Sequence, residues 1–245
     1  MIETADCGGI AILTLDSGPV NALDLELLSA VPESLAAVAG SRAVVLTGSG
    51  RSFSAGVDLK RIVDGGLPYV EKFLPSLSLA MLTLFEHPKP VVAAVNGHAL
   101  AGGCVLAAAC DIRLMSGGTI GLAELAAGVP FPTVPLEIMR HAVGPALDAM
   151  VLGAGRLTPD QATSIGLVHE VVEPDQLLTA ALRRAEGLCA APPDVYALAK
   201  RQLHAPARER IDTLRPSDDP QVLKIWSSGD TGRNLRTYLA SLRRG

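Results

Sequence analysis

Apolar residues along this chain fall into runs whose spacing alternates between two periods. "GIAILTLDSG", Gly9 to Gly18, is a short run with β-branched residues that ends in turn chemistry, and it predicts a strand. "AVVLTGSG" from Ala43 and "PVVAAVNG" from Pro90 predict two more strands. The last is continuously apolar, as a strand covered on both faces should be. "IRLMS" from Ile112 predicts a fourth strand and "GTIGLAEL" from Gly118 a fifth. Between them the spacing turns helical. The segment from Asp24 predicts a helix kinked or broken near Pro32. The segment 61–67 is less regular, and the run after it is helical up to the residues before Pro88. "AGGCVLAAACD" from Ala101 is rich in small residues at helical spacing, and "PLEIMRHAVGPALDAMVL" from Pro135 reads as helix. Thr158 is an N-cap candidate before Pro159, a good first helical residue, and that segment ends in a short strand near Val172. Two further helices, from Glu173 and from Pro192, and a charged helical tail from Pro216 to Gly245 complete the chain. Strands alternating with helices predict an α/β fold with several parallel pairings, and the helix-rich C-terminal third is either a lobe or an oligomerisation layer.

Composition narrows this picture. Hydrophobic residues are 49% of the 245 and aromatics 3%, so a large core must be built from Ala, Val, Leu and Ile. The net charge of −4 and the lack of a basic run argue against a nucleic-acid groove. Val91 to Cys110 is long enough to resemble a membrane span, but Asn96, His98 and the Gly and Pro residues in and around it break it into strand, turn and helix. The N-terminus lacks the pattern of a secretion signal, so a cytoplasmic protein is expected. Cys7, Cys104, Cys110 and Cys189 form no CxxC pair, and the five histidines are scattered, so no metal is expected.

Candidate chemistry appears twice in one form. In "VVLTGSGRSFSAGVDL" and in "VVAAVNGHALAGGCVL" an apolar strand runs into a Gly-containing turn and then into small residues. Small residues let a backbone approach a ligand, and free N–H groups at helix starts are donors aimed at negative charge. Two such donors converging on one oxygen would form an oxyanion hole. Either stretch alone is explained equally well by tight turns and close helix packing. The phosphate-loop patterns GxxxxGK[ST] and GxGxxG and the hydrolase pattern GxSxG are absent. Glu124 is the only acidic residue between Asp111 and Glu137, in apolar company. Burial would raise its pKa toward the range useful for proton transfer, although most glutamates are simply solvated.

In order and spacing, "PVNALD", "AVVLTGSGRSFSAGVDLK", "PVVAAVNGHALAGGCVLAAACDIRL", "GTIGLAELAAGVP" and "RLTPDQATSIGLVHEVV" resemble the enoyl-CoA hydratase/isomerase (crotonase) family over roughly Val20 to Val172. The resemblance implies a spiral of ββα units with two near-perpendicular sheets. It implies a core over 1–190 and a C-terminal helical trimerisation region over 191–245, in a homotrimer or hexamer. It implies an acyl-CoA thioester as substrate, with coenzyme A part of that substrate and no separate cofactor. The oxyanion donors it implies are the N–H groups of Val57 and Gly102, with Ala101 a departure from the family's triple glycine. Ala55, Gly56, Asp58, Leu59, Lys60, Gly103 and Val105 are the implied substrate contacts. A family hydratase uses two glutamates; the second matches Glu124, but the first position here is Val105, which cannot transfer a proton. A single glutamate implies enoyl-CoA isomerisation ahead of hydration in fatty-acid oxidation, and Val105 also keeps a non-catalytic acyl-CoA binder in view. The extra Asp of the family's dienoyl isomerases is missing from "GVPFPTVP". Pro130 and Pro132 are expected to stiffen a wall near the acyl group, and Trp226 to pack the C-terminal helices that cover it. Lys60 and Arg61 either meet coenzyme A phosphates or are solvated. Glu137 is expected in the first turn of a helix as a structural acid, and Asp111 is expected to be structural as well.

Overall fold

The computed structural model describes residues 1–242; the last three residues of the expected helical tail lie outside them. The strands are β1 (Ile2–Cys7), β2 (Ile10–Leu15), β3 (Ala43–Gly48), β4 (Ser52–Ser54), β5 (Val91–Val95), β6 (His98–Leu100), β7 (Ile112–Met115), β8 (Ile120–Gly121), β9 (Arg156–Leu157) and β10 (Glu170–Val171). The helices are α1 (Leu25–Ala37), α2 (Leu59–Phe85), α3 (Gly102–Ala108), α4 (Glu124–Ala127), α5 (Thr133–Val143), α6 (Leu147–Gly153), α7 (Pro159–Ser164), α8 (Leu177–Leu188), α9 (Pro193–Trp226) and α10 (Gly229–Leu242).

A six-stranded sheet has the order β1-β2-β3-β5-β7-β10 and is parallel except for the β1–β2 hairpin. A four-stranded sheet has the order β4-β6-β8-β9, parallel except at β9. The chain therefore makes the same move three times: a strand in the large sheet, a short strand in the small sheet, then a helix, as β3-β4-α2, β5-β6-α3 and β7-β8-α4. This is the expected repetition of ββα units.

Period-2 alternation explains the continuous apolar runs. Ala43, Val45, Val92, Ala94 and Leu114 face α8, where Leu177, Ala180, Ala181 and Ala185 cover one side of the large sheet. Val44, Leu46, Val91, Ala93 and Val95 face the main core, shared with α1, α2, α3 and α5. The C-terminal helices join that same core through Ala207, Ile211, Val222, Trp226 and Leu235.

Several local expectations change. Pro32 lies inside a helix that remains one element from Leu25 to Ala37. The irregular segment is instead helix with a single break at Gly66, whose φ of 55° and ψ of −151° lie outside helical space. The residues from Pro193 onward form one helix to Trp226, with Pro206, Pro216 and Pro220 inside it, and the next helix begins at Gly229. The fifth expected strand shrinks to Ile120–Gly121, because the chain turns into α4 at Glu124. β1 has no counterpart among the sequence expectations: it is a largely exposed edge strand with polar residues, so it carries no hydrophobic signal. Thr158 does cap α7, in a reciprocal box with Gln161.

Candidate active site

The three ββα turns deliver their strand-to-helix connections to one place. In the small sheet Ser54 is in register with Ala99, Ala99 with Ile120, and Leu100 with Gly121. The C-terminal ends of β4, β6 and β8 therefore lie side by side, the place where parallel sheets commonly leave room for a ligand. Just beyond those ends come Val57, Gly102 and Glu124, and all three line one cavity of about 290 Å³.

The first turn is held open by backbone bonds to another segment. Ala55 N donates to Val20 O, Leu23 N to Gly56 O, and Asp58 N to Leu23 O. Gly56 has φ of +86°, and a Cβ there would lie 2.6 Å from Leu100 O and 3.2 Å from Gly102 N. Only glycine allows the first turn to sit this close against the second. The second turn pivots at Ala101, a non-glycine residue with φ of 49° just ahead of α3. This is a strained conformation, retained where the surroundings over-determine it. Among the described residues, neither Val57 N–H nor Gly102 N–H donates to a protein acceptor. Two undonated N–H groups on abutting turns can stabilise negative charge on an oxygen placed between them.

Glu124 begins α4, a single helical turn. Its Oε2 accepts from Ala123 N at 2.9 Å. Burial pushes its pKa up to about 7, against the opposing pull of the backbone N–H groups of Glu124 and Ala123. A carboxyl group poised there can take up and return a proton near neutral pH. Val105 is 0% exposed and also lines the cavity, to which it presents only hydrocarbon.

Ala55, Gly56, Asp58, Leu59 and Lys60 line the cavity as well. Asp58 caps α2, accepting from Arg61 N at 3.0 Å, as expected of a turn aspartate. Lys60 pairs with Asp64 at 2.6 Å, and Arg61 is drawn away by Glu26 at 2.5 Å and Asp24 at 3.4 Å. Gly103 departs from expectation: it is not on the cavity wall. Its missing side chain serves packing instead, since a Cβ there would lie 2.3 Å from Ser54 O. His98 is exposed at the start of β6, bonded to Thr119, and away from the wall.

The rest of the wall is apolar and comes from distant segments, including Leu77 and Met81 of α2 and Leu239 of α10. Arg156 and Tyr238 add polar groups. None of these five was recognisable as a site residue, since each looks like an ordinary helix or strand residue in its own segment. Phe131 and Pro132 form a further side. This side is hung on α9: Trp226 Nε1 donates to Pro130 O at 2.9 Å, and Thr133 N and Oγ1 donate to Asp219 at 3.0 and 2.7 Å. Trp226 is 4% exposed, at the edge of the cavity as expected. Trp226→Phe keeps an aromatic ring but orphans Pro130 O, and is expected to cost about 1–3 kcal/mol of stability. A lower urea midpoint at unchanged slope would register it.

Contrary to expectation, Glu137 is not in the first turn of its helix, because α5 already begins at Thr133; it lies in the second turn, 1% exposed between Arg140 and Arg210. Asp111 is structural, accepting from Val91 N, Tyr196 Oη and Lys200 Nζ.

Comparison with known proteins brings enzymes of one kind to this chain. The family described as "Enoyl-CoA hydratase/isomerase" matches residues 6–239. The human protein named "Enoyl-CoA delta isomerase 1, mitochondrial" is 27% identical over 99% of this chain and 83% of its own length. The "Short-chain-enoyl-CoA hydratase" of Clostridium acetobutylicum is 32% identical over 95% of this chain and 92% of its own. The crystal structure of human mitochondrial delta3-delta2-enoyl-CoA isomerase superposes with a TM-score of 0.93 at 26% identity, covering 99% of this chain and 98% of that one.

Proposed function

The chain belongs to the enoyl-CoA hydratase/isomerase family, and on that premise we propose that it moves the double bond of an enoyl-CoA thioester, with Glu124 as its single acid/base. The observation that carries this reading is the pairing of Glu124 with Val105 on one largely apolar cavity: the other carboxylate on its wall, Asp58, is engaged in capping α2, which leaves Glu124 for proton transfer. In a β,γ-unsaturated thioester, the Glu124 carboxylate takes a proton from the α-carbon. The C–H electron pair becomes the new α,β double bond, and the former β,γ pair shifts toward the γ-carbon. Negative charge spreads onto the thioester oxygen, where Val57 N–H and Gly102 N–H donate to it. The protonated Glu124 then returns its proton to the γ-carbon, leaving an α,β-unsaturated product and a regenerated carboxylate. Ala55, Gly56, Leu59 and Lys60 border the coenzyme A portion, and no cofactor enters the cycle. Hydration would need a group to orient water opposite Glu124, and Val105 offers none.

A mass-resolved assay tests this. With a β,γ-hexenoyl-CoA, the expected product has unchanged mass and α,β conjugation. A product heavier by one water formed at the faster rate would replace the isomerase reading with a hydratase one. Binding with neither product would replace it with an acyl-CoA binder. Val105→Glu supplies the missing carboxyl and is expected to raise hydration relative to isomerisation.

A further inference from the structure

A second cavity, of about 340 Å³, lies apart from the acyl site, between the end of α3, β7, α5 and the first half of α9. Its walls carry an unusual density of donors. Arg113 is 5% exposed and Lys200 6% exposed, and His141, His169, His204 and Tyr196 also line it. Among the described residues Asp111 is the one carboxylate on the wall, and it is already engaged by Val91 N, Tyr196 Oη and Lys200 Nζ. Among the described residues Arg113 has no carboxylate within salt-bridge distance. Its Nε donates to Leu167 O at 2.6 Å and its Nη1 to Cys110 O at 2.6 Å and Ala108 O at 3.4 Å. With neutral histidines, two cations face one carboxylate, and buried charge of this kind calls for a counter-charge.

The contact between Arg113 and His169 sharpens the deficit. Arg113 N donates to His169 Nδ1 at 3.0 Å. A main-chain N–H can only donate, so Nδ1 is the acceptor and the neutral ring carries its hydrogen on Nε2. That Nε2 lies 3.3 Å from Arg113 Nη2, which also can only donate. Two donors therefore meet with no acceptor between them. His204 adds a buried Nδ1 with no partner among the described residues. The imidazoles feel the surplus: burial first and then Arg113 depress His169 to about 4, and burial, then His141 and Lys200, depress His204 to about 3. His141 is lowered by burial and by Arg113. No group of three or more His, Cys, Asp or Glu among the described residues is arranged to hold a metal ion, so the surplus is not a cation site.

We infer that this cavity binds a small oxyanion of the phosphate or sulfate class, which accepts from Arg113 Nη2, His169 Nε2 and the imidazole of His204. The space exceeds the roughly 30 Å³ share of one water, and a neutral water would leave the charge unbalanced.

The test is a titration of the intact protein with sodium phosphate against sodium chloride at matched ionic strength, read by the histidine ring resonances and by thermal midpoint. Expected is a saturable shift of the His169 and His204 signals, a rise in the apparent pKa of both rings, and a midpoint increase that chloride does not reproduce. His204→Phe keeps the stack on Phe85 and is expected to weaken phosphate binding tenfold or more while acyl-CoA turnover stays unchanged. Saturating coenzyme A should leave the phosphate response intact. A response no larger than that of chloride overturns the inference, because the acceptor is then water. A response that His204→Phe leaves unaltered, or that coenzyme A abolishes, overturns it as well, because the phosphate then sits elsewhere. These outcomes do not depend on which acyl-CoA reaction the protein catalyses.

Discussion

Glu124→Gln is expected to lower kcat by about 10²–10⁴-fold, the usual contribution of a positioned acid/base, while acyl-CoA binding survives. The amide keeps the size and the acceptor that Ala123 N uses, so the cavity retains its shape. What it loses is the proton. In the unmodified enzyme kcat/KM should climb with pH through about 7, because the carboxylate is the form that takes the first proton. The same substitution should change stability in the opposite sense. Glu124 titrates near 7 when folded, against 4.5 for a free glutamate, because burial disfavours its charge. Below the free value the folded protein carries no such penalty, and the penalty grows as pH rises through the folded value. The variant should therefore gain roughly 1–3 kcal/mol above pH 8, and nothing at pH 4. Denaturant melts at both pH values, beside turnover, check the pair of signs. A glutamate that merely supported the fold would lose stability with activity.

Gly56→Ala is expected to lower kcat by about 10²–10³-fold, the cost of a lost oxyanion donor. Glu124 would be untouched and the pH profile unshifted. One methyl group does this for geometric reasons. The added Cβ falls 2.6 Å from Leu100 O and 3.2 Å from Gly102 N, so the turn carrying Val57 and the turn carrying Gly102 are pushed apart. The positive φ of Gly56 adds about 1–2 kcal/mol of strain to an alanine. Transition-state mimics that place negative charge on the thioester oxygen should lose affinity with kcat, whereas coenzyme A itself should bind nearly as before. Equal losses for both ligands would show general unfolding of the site instead.

Much of the scaffold was legible because its signals are local. The runs at Ala43 and Val91 became the buried strands β3 and β5, and Thr158 capped its helix with Gln161 as its spacing predicts. The short strands β4 and β6 were not legible: three residues, "SFS" and "HAL", are too few to show a period, and each is a strand only because the other lies beside it. Glu137 reads as a helix acid until Arg210, 73 residues away, closes over it. The wall formed by Phe131 and Pro132 likewise depends on Trp226 and Asp219, which belong to a helix nearly a hundred residues downstream.

By itself the chain determined the alternation of strand and helix, the small residues of the two glycine turns, the single acid Glu124 and the apolar Val105, since these follow from residue type and near neighbours. Only the tertiary structure decided that Val57, Gly102 and Glu124, each just beyond a short strand of three successive ββα turns, line one cavity. It also gave Glu124 its proton affinity, through the surroundings that bury it. The physical reason is that hydrophobic period and turn chemistry act over a few residues. The parallel register of β4, β6 and β8, and the desolvation of a carboxyl group behind it, arise between segments that meet only when the sheet forms.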